Sequence, residues 1–391
     1  MKQILTAILF ALLPVSAIAQ DAVLPDLSQN AALRYWVAFS WLPEPGDALH
    51  EALHAWDEVE IETARALLGP DESSHDALTH LHWAVQLDRC VWAIKVEDGP
   101  YALLPQLGQG RLLAKLAMLR VRVLLHEGDV AGAMNDLLAV LKLGRAFDSD
   151  YILISAIVGR GIEAMAVTFI AEHFAEFDED TLLQLAAEID RLPARPALSE
   201  VIRGESRLFV TWLRKTLLRA EANQLSEAEQ QTVENVLGLG ADDLQQVRED
   251  IDLWLGWVDE SRAAYAEAGR VADLPYEEFS ETIGPLEAAI ANSDNQVLQQ
   301  FMPGIGNVRD AADRAAVRLT MLRALIALRL DEPGSQKTLA LMADPYGPGM
   351  FELVVNEIDG EGHVVAIRSA LPDRDGQPTE LRLQPSRSEP E

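Results

Sequence analysis

Apolar residues recur every three or four positions along most of the chain, which is the spacing of one face of an α-helix. The most regular example lies between residues 308 and 330, where one face carries Val308, Ala312, Ala315, Leu319, Leu322, Ile326 and Leu330. The charged residues of this segment fall on its other faces, namely Arg309, Asp313, Arg318 and Arg323. The pattern predicts a long amphipathic helix whose apolar face packs against other helices.

A helical hairpin is predicted between residues 111 and 147. The first helix carries the apolar stripe Leu112, Leu116, Leu119 and Val123. Gly128 and Asp129 then turn the chain. The second helix presents the facing stripe Ala133, Leu137, Leu141 and Gly144. Two helices joined by so short a turn are expected to lie antiparallel.

The same periodicity predicts further helices at roughly 151–174, 179–191, 197–222, 241–268 and 276–292. Asp178 and Ser226 are candidate N-caps, and Pro193 and Pro196 interrupt the chain between two of these helices.

After residue 333 the pattern changes to short runs of branched apolar residues. Residues 351–355 and 363–367 flank a turn-forming segment, which predicts a β-hairpin with a third strand near 381–383. The predicted fold is mainly α, either a helical-hairpin bundle or an irregular solenoid, with a small C-terminal β-hairpin. We assign a signal peptide to 1–19, a helical domain to 20–332, a β-containing subdomain to 333–384 and a disordered tail to 385–391.

The first twenty residues have the pattern of a secretory signal peptide. Lys2 precedes an apolar stretch that ends at Ile18, and residues 17–19 supply the small-x-small pattern for cleavage after Ala19. The stretch is short for a helix that spans a bilayer, which needs ~20 apolar residues, and Pro14 interrupts it. We therefore expect an exported protein, periplasmic or extracellular.

No later stretch is expected to be long and apolar enough to cross a bilayer, so no membrane insertion is expected after cleavage of the signal peptide. The most apolar later stretch, 151–170, contains Arg160 and Glu163.

The formal net charge is −30, and loss of Lys2 with the signal peptide makes it −31. So acidic a chain repels nucleic acid and anionic lipid, which excludes both as main partners. The single cysteine, Cys90, cannot form an intramolecular disulfide, so stability has to come from the hydrophobic core. Apolar Val91 and Trp92 follow Cys90, which favours a buried thiol over a nucleophile.

Residues 112–147 resemble a tetratricopeptide repeat in the Gly128-Asp129-Val130-Ala131-Gly132-Ala133 turn and in Leu137 and Leu141 of the second helix. The chain departs from that pattern at Val121, where a small glycine is expected, and at Arg145, where a proline is expected. The pattern occurs once, so a regular array of 34-residue repeats is not predicted.

More broadly, the signal peptide, the tryptophan-rich helices and the C-terminal β-hairpin are similar to uncharacterised secreted α-helical proteins of environmental bacteria, a resemblance that implies no activity. The turn at 344–347 also looks like the start of the β-region of type II secretion pseudopilins. Those proteins carry an N-terminal helix and a processing site that differ from this chain, so no pilin is inferred.

The segment from His50 to His54 matches the zincin motif H-E-x-x-H, in which two imidazoles one helical turn apart hold Zn²⁺ and the glutamate acts as general base. Glu72, followed four residues later by Asp76, has the spacing of a third ligand. This gives one hypothesis, a zinc-dependent metallopeptidase-like hydrolase with zinc on His50, His54 and Glu72 and with Glu51 as the catalytic base.

The geometry of a helix opposes that hypothesis. Leu49, Leu53 and Trp56 define the apolar side of this short helix, and both histidines fall about 90–130° away from it. We therefore favour histidines on the flank of the helix, with no cofactor and no catalytic residue.

Two composition clusters bear on this region. Five of the eight histidines lie between residues 50 and 82, which keeps metal binding under consideration. Five of the eight tryptophans lie in the same part of the chain, namely Trp36, Trp41, Trp56, Trp83 and Trp92. Tryptophans at helical spacing are more often core residues than the lining of a ligand groove, so we interpret them as packing residues.

Charges inside apolar helices form a possible buried polar cluster, made of Arg160, Glu163, Arg203 and Glu205. Such groups have to pair when buried, either to specify packing or to recognise a ligand, and we favour packing. Residues 373–376 resemble only a fragment of a calcium loop and predict a turn. The sequence contains no phosphate loop, nucleophile elbow or dinucleotide fingerprint.

Together these patterns favour a secreted, non-enzymatic helical scaffold or binding protein that presents a surface to a protein or peptide partner.

Overall fold

The computed structural model describes residues 27–69, 72–238, 243–302, 304–330, 336–358 and 361–383. It is 71% helical, and its only described sheet is C-terminal, so the predicted mainly α fold is confirmed. The predicted signal peptide 1–19 and tail 385–391 lie outside the described residues.

The described residues form sixteen α-helices: α1 Ala31–Ser40, α2 Ala48–His54, α3 Ile61–Leu68, α4 Glu72–Ala84, α5 Pro105–His126, α6 Val130–Ala146, α7 Leu153–Glu172, α8 Glu179–Asp190, α9 Leu198–Glu221, α10 Glu227–Leu237, α11 Asp243–Glu249, α12 Ile251–Ala272, α13 Tyr276–Ala291, α14 Gln296–Phe301, α15 Ile305–Leu330 and α16 Gln336–Met342. Three antiparallel strands follow: β1 Glu352–Ile358, β2 Glu361–Pro372 and β3 Pro378–Arg382, in the order β1-β2-β3.

The predicted hairpin is formed by α5 and α6. Gly128 adopts φ +80°, a left-handed conformation that favours glycine, and the Asp129 carboxylate caps α6 by accepting from Gly132 N at 2.9 Å. Helix α5 is buried beyond its predicted stripe, because Leu113 and Met118 are also fully buried. It is therefore a central helix with neighbours on most sides.

Two hydrophobic cores form, and two helices belong to both of them. The first core contains α1–α6, α8 and the sheet, and the second contains α9–α14. Helix α7 contributes Leu153 to the second core and Ile162 to the first. Helix α15 likewise contributes Ile305 to the second core and Leu322 to the first. The junction between the cores is therefore held by two continuous helices that pack on each other.

Two details of the predicted helices are corrected. The helix expected over 241–268 is two helices, α11 and α12, separated at Asp250. Asp313 was expected away from the buried side of α15, but it is only 6% exposed. It is buried because Arg309 Nε donates to its carboxylate at 2.8 Å and the Tyr346 hydroxyl donates at 2.9 Å.

Helix α7 is long and apolar enough, by length and composition alone, to cross a membrane, with a mean hydropathy of 1.7. The expectation that no later stretch meets this criterion is therefore wrong. A helix from the core of a globular protein passes the same test, and 67% of the apolar window of α7 is buried inside the structure.

One buried carboxylate joins the segment after α16 to the sheet, which also packs on the helices through Ile367 and Leu381. The side chain of Asp344 accepts hydrogen bonds from Ser369 Oγ at 2.8 Å, from Ala370 N at 2.6 Å and from Tyr346 N at 3.0 Å. The predicted turn at 344–347 is therefore held against β2 by a fully used side chain.

Replacing Leu322 by Asp is expected to lower the free energy of unfolding by about 4 kcal/mol or more, because the carboxylate would be buried without a partner. Leu319→Asp should cost clearly less, since Leu319 is only partly buried and lines a cleft. Urea denaturation of both variants beside Leu253→Asp, at a half-exposed position of α12, measures the difference. Equal losses at positions 319 and 322 would contradict this burial pattern.

Candidate functional site

The zincin-like motif lies on α2 with its apolar residues inward. Leu49 and Leu53 are buried, while Glu51 and His54 are exposed, as the helical geometry predicts. His50 Nδ1 lies 3.2 Å from the carbonyl oxygen of Pro43, and the two imidazole rings are 5.2 Å apart at an angle of 73°.

The proposed third ligand begins a different helix. Glu72 is the first residue of α4, and its side chain lies outside the described part of the structure. Among the residues whose positions are described, no group of three or more histidine, cysteine, aspartate or glutamate side chains is arranged to hold a metal ion.

One member of the histidine cluster has another role. His82 Nε2 lies 2.7 Å from Asp136 Oδ1, and Arg120 Nε donates to Asp136 Oδ2 at 2.6 Å. Asp136 is completely buried, so this network joins α4, α5 and α6 through one carboxylate. Nothing in the periodicity indicated this network, because its members lie far apart in the sequence.

The predicted buried polar cluster is only partly formed as expected. Arg160 and Glu163 on α7 are buried and lie close to Arg145, Asp148 and Arg195, which the sequence analysis did not connect with them. We call these five residues the junction cluster. Arg203 is exposed, and Glu205 instead accepts a hydrogen bond from Leu153 N at 3.1 Å, at the start of α7.

Two glycines allow the junction cluster to form. A Cβ atom on Gly159 would lie 2.3 Å from the carbonyl oxygen of Gly144, so only glycines permit this approach of α7 to α6. Arg145 follows Gly144 on α6 and Arg160 follows Gly159 on α7, so the close approach of the two helices brings both arginines into the junction cluster. Arg145, which departs from the repeat pattern, is thus a structural member of the cluster.

The ion pairs of the junction cluster are close but imperfectly aligned. Arg145 Nε lies 2.7 Å from Glu163 Oε2 and Arg195 Nη2 lies 3.1 Å from it, yet neither contact has hydrogen-bond geometry. Arg195 Nη1 does donate to Asp148 Oδ2. Three guanidinium groups therefore face two carboxylates in a buried position.

Burial is the main cause of the pKa shifts in the junction cluster. Burial lowers the pKa of Arg160 and of Arg145, and the positive charge of Arg195 lowers both further. Burial raises the pKa of the Asp148 carboxyl against the opposing effect of the arginines. The cluster therefore holds its charges at a desolvation cost.

Helix α1 is apolar on both sides. Its inner side buries Tyr35, and its outer side exposes Leu33 by 44%, Trp36 by 37% and Val37 by 38%. Trp41, just after the helix, is 42% exposed. We call Leu33, Trp36, Val37 and Trp41 the outer α1 face.

The outer α1 face has a rigid support. Trp92 stacks with Tyr35 at a centroid distance of 5.5 Å and with Phe147 at 5.2 Å. The Asn30 side chain caps α1 and also exchanges two hydrogen bonds with the backbone of Val91. These contacts fix α1 to the interior without covering its outer side.

Of the five N-terminal tryptophans that were interpreted as packing residues, Trp92 is the only one that is fully buried in the core. Trp92 is 5% exposed and Trp56 is partly buried, whereas Trp36, Trp41 and Trp83 are all more than one third exposed. These three are therefore not core residues, although Trp36 packs edge-on against Phe39 and Trp92. Helical spacing identifies a shared face but not how far a neighbour covers it.

Cys90 is partly buried, whereas the sequence favoured a buried thiol. Burial raises the pKa of its thiol to about 12, so the thiol is protonated at neutral pH and is a poor nucleophile.

Asp150 closes the 3-10 turn Phe147–Asp150 next to the junction cluster. Burial raises the pKa of the Asp150 carboxyl to about 7, and the Ser155 hydroxyl, which donates to it at 3.0 Å, offsets only part of this effect. No pattern in the sequence singles out Asp150.

No family model matches the chain, and comparison with curated proteins and with solved structures finds no match either. Only the geometry of the described residues therefore bears on the function.

Replacing Glu51 by Ala should change the free energy of unfolding by no more than ~0.5 kcal/mol, because the side chain is exposed and has no described hydrogen bond. Trp56→Ala should cost about 2 kcal/mol, since its ring packs 6.2 Å from Phe169.

Zinc titration with a peptide-hydrolysis assay tests the hydrolase hypothesis directly. One tightly held zinc per chain, lost in His54→Ala, with hydrolysis lost in Glu51→Ala, would establish the hydrolase instead.

Asp150→Asn is expected to change the pH dependence of stability. The folded-state pKa of Asp150 lies above its unfolded-state value, so its stabilising contribution is complete below about pH 4 and is lost as pH rises towards about 7. Asparagine mimics the neutral carboxyl, so the variant should exceed the wild type by on the order of 2 kcal/mol at pH 8 and match it at pH 4. Thermal unfolding across this range, with exposed Asp294→Asn as control, measures the effect. Identical pH profiles for wild type and Asp150→Asn would contradict it.

Proposed function

We propose that the protein is a non-enzymatic helical scaffold that binds a protein partner through the outer α1 face. The proposal includes export through the predicted signal peptide, with the mature chain acting in the periplasm or outside the cell. It requires no cofactor. The zinc-dependent hydrolase at His50, Glu51 and His54 is the alternative that the zinc titration addresses.

The main support for the proposal is that α1 carries apolar residues both on its buried side and on its exposed side. A helix at the surface of a globular protein normally turns polar residues to solvent, and a helix apolar on all sides is normally buried. Helix α1 instead exposes Leu33, Trp36 and Val37 on the side opposite buried Tyr35. Exposed apolar patches of this kind mark interaction sites.

The neighbourhood of α1 enlarges this patch. Trp83 on α4 is 48% exposed and Val91 is 42% exposed, and both elements contact α1. Arg34 lies over the Trp83 ring at 5.4 Å in a cation–π contact, and the His80 ring packs edge-on against Trp83 at a centroid distance of 4.9 Å, so the ring is held in place while about half of the residue stays exposed. Exposed tryptophans on a rigid base have the properties of binding hot spots.

The occupant that fits best is an amphipathic helix from a second protein. A ridge of side chains spaced by three and four residues is complementary to a groove on another helix, as in the rest of this fold. The chain carries a net charge of −30, so a partner with basic residues beside its apolar face gains electrostatic attraction. The same charge disfavours an anionic membrane surface.

Photo-crosslinking groups placed at positions 36 and 37 of the mature chain, in the cell that exports it, test the proposal. Both positions should crosslink to one and the same protein, through a helix with basic flanks, while position 183 on α8, also apolar and exposed, should not. The synthetic partner helix should then bind purified protein, and Leu33→Glu with Val37→Glu should weaken binding at least tenfold, about 1.4 kcal/mol. Leu183→Glu is the matched control, and thermal unfolding confirms that each variant is folded.

Other crosslinks identify a different occupant of the outer α1 face. Crosslinks to residues 20–26 of the same chain, to a second copy of the chain or to lipid would each overturn the proposal. Binding of the partner helix that survives Leu33→Glu with Val37→Glu would overturn it as well.

A further inference from the structure

A cleft of about 440 Å³ lies on the seam between α7 and α15, beside the turn that connects β2 to β3. Its charged lining consists of Arg160, Arg314, Arg318, Arg374, Asp373 and Asp375. It shares no residue with the outer α1 face. Four guanidinium groups thus border one small cleft with two carboxylates, in a protein with almost twice as many acidic as basic residues.

The arginines of this cleft are poorly matched by the protein itself. Among the described residues, Arg318 and Arg374 have no carboxylate within ion-pair distance and no side-chain hydrogen bond. The nearest carboxylate of Arg314 is Asp310, at 4.0 Å. Arg160 is different, because it also lies 3.6 Å from Asp148 of the junction cluster.

One carboxylate of the cleft is already committed to the backbone. Asp373 Oδ1 accepts hydrogen bonds from Asp375 N at 2.8 Å and from Gln377 N at 3.0 Å, and these bonds hold the turn. Gly376 in the same turn has φ +74°, a conformation that favours glycine. Asp373 therefore shapes the rim of the cleft and only partly neutralises the arginines.

The positively charged groups of the cleft lie close enough to affect one another. Burial lowers the pKa of Arg318 first, and the positive charge of Arg314 lowers it next, while Asp373 opposes the effect and Arg374 adds to it. Arginines in this arrangement repel one another unless an anion lies between them.

The floor of the cleft admits a ligand. Its uncharged lining consists of Gly161, Ala164, Ala311 and Ala315 and of one larger residue, Ile157. A Cβ atom on Gly161 would meet no side chain and no backbone atom of another element within 4 Å. The space over Gly161 is therefore open to a bound group.

We propose that Arg314, Arg318 and Arg374 form a binding site for the oxyanion group of a small molecule. Planar guanidinium forks pair with two oxygens of a carboxylate, phosphate or sulfate at once, which suits this lining. The bound anion balances the positive charge of these arginines, which the two aspartates of the cleft neutralise only in part. The site differs from the junction cluster, where Asp148 and Glu163 already face the arginines.

Calorimetric titration of the mature chain with phosphate, sulfate and citrate, at constant ionic strength set with sodium chloride, tests the site. At least one of these anions should bind with one site per chain, and the order of their affinities distinguishes phosphoryl, sulfuryl and carboxyl ligands. Arg318→Gln and Arg374→Gln should each weaken binding at least tenfold. Arg329→Gln, an exposed position on the same helix that removes the same charge, should leave binding unchanged.

Thermal unfolding distinguishes a ligand site from a structural one. Without multivalent anions, Arg318→Gln should melt no lower than the wild type, because the substitution relieves repulsion. With the anion that binds, the melting temperature should rise in the wild type and in Arg329→Gln but not in Arg318→Gln. Binding of none of the three anions, equal weakening in Arg329→Gln, or a lower melting temperature of Arg318→Gln without anion would each overturn the proposal.

Discussion

Charges carried into the junction of two hydrophobic cores have to be neutralised there, and this constraint organises the rest of the structure. Helices α7 and α15 run through both cores, so their arginines and acids cannot all reach water. Arg160 and Glu163 are accommodated because Gly144 and Gly159 let α6 approach α7 closely enough for Arg145 to join them.

The same constraint is met at the other end of the junction by Arg309. Its guanidinium donates to the carbonyl oxygens of Ala272 and Leu274, at the end of α12, and to Asp313 on its own helix. The Tyr346 hydroxyl donates to the same carboxylate. One arginine thereby connects the end of α12, helix α15 and the segment that leads into the sheet, and satisfies carbonyl groups that a helix end leaves free.

The proposed functions use what these networks leave unsatisfied. Most buried charges are paired and most apolar faces are covered, so the exceptions are informative. The outer α1 face is apolar surface that no described element covers, and Arg318 is a half-buried charge with no described carboxylate within ion-pair distance. One exception calls for a protein partner and the other for an anion, and the two sites share no residue.

The sequence by itself determined the local structure. Spacings of three and four residues predicted α15 and the α5–α6 hairpin, Asp178 and Ser226 cap their helices as expected, and branched residues after 345 predicted the sheet. It also determined that Leu49 and Leu53 turn inward on α2. These features depend on backbone geometry and neighbouring residues, so a one-dimensional pattern contains them.

Only the tertiary structure decided which distant residues meet. Periodicity placed Asp313 on an outward side of α15, and the approach of Tyr346 made that position buried. Arg203 and Glu205 looked equivalent to Arg160 and Glu163, yet only the latter pair faces Arg145 and Arg195. Trp36 and Trp92 were indistinguishable by spacing, and one is exposed while the other is buried. The physical reason is that burial and charge pairing depend on the elements that lie opposite, and a helix carries no record of its neighbours in its own period.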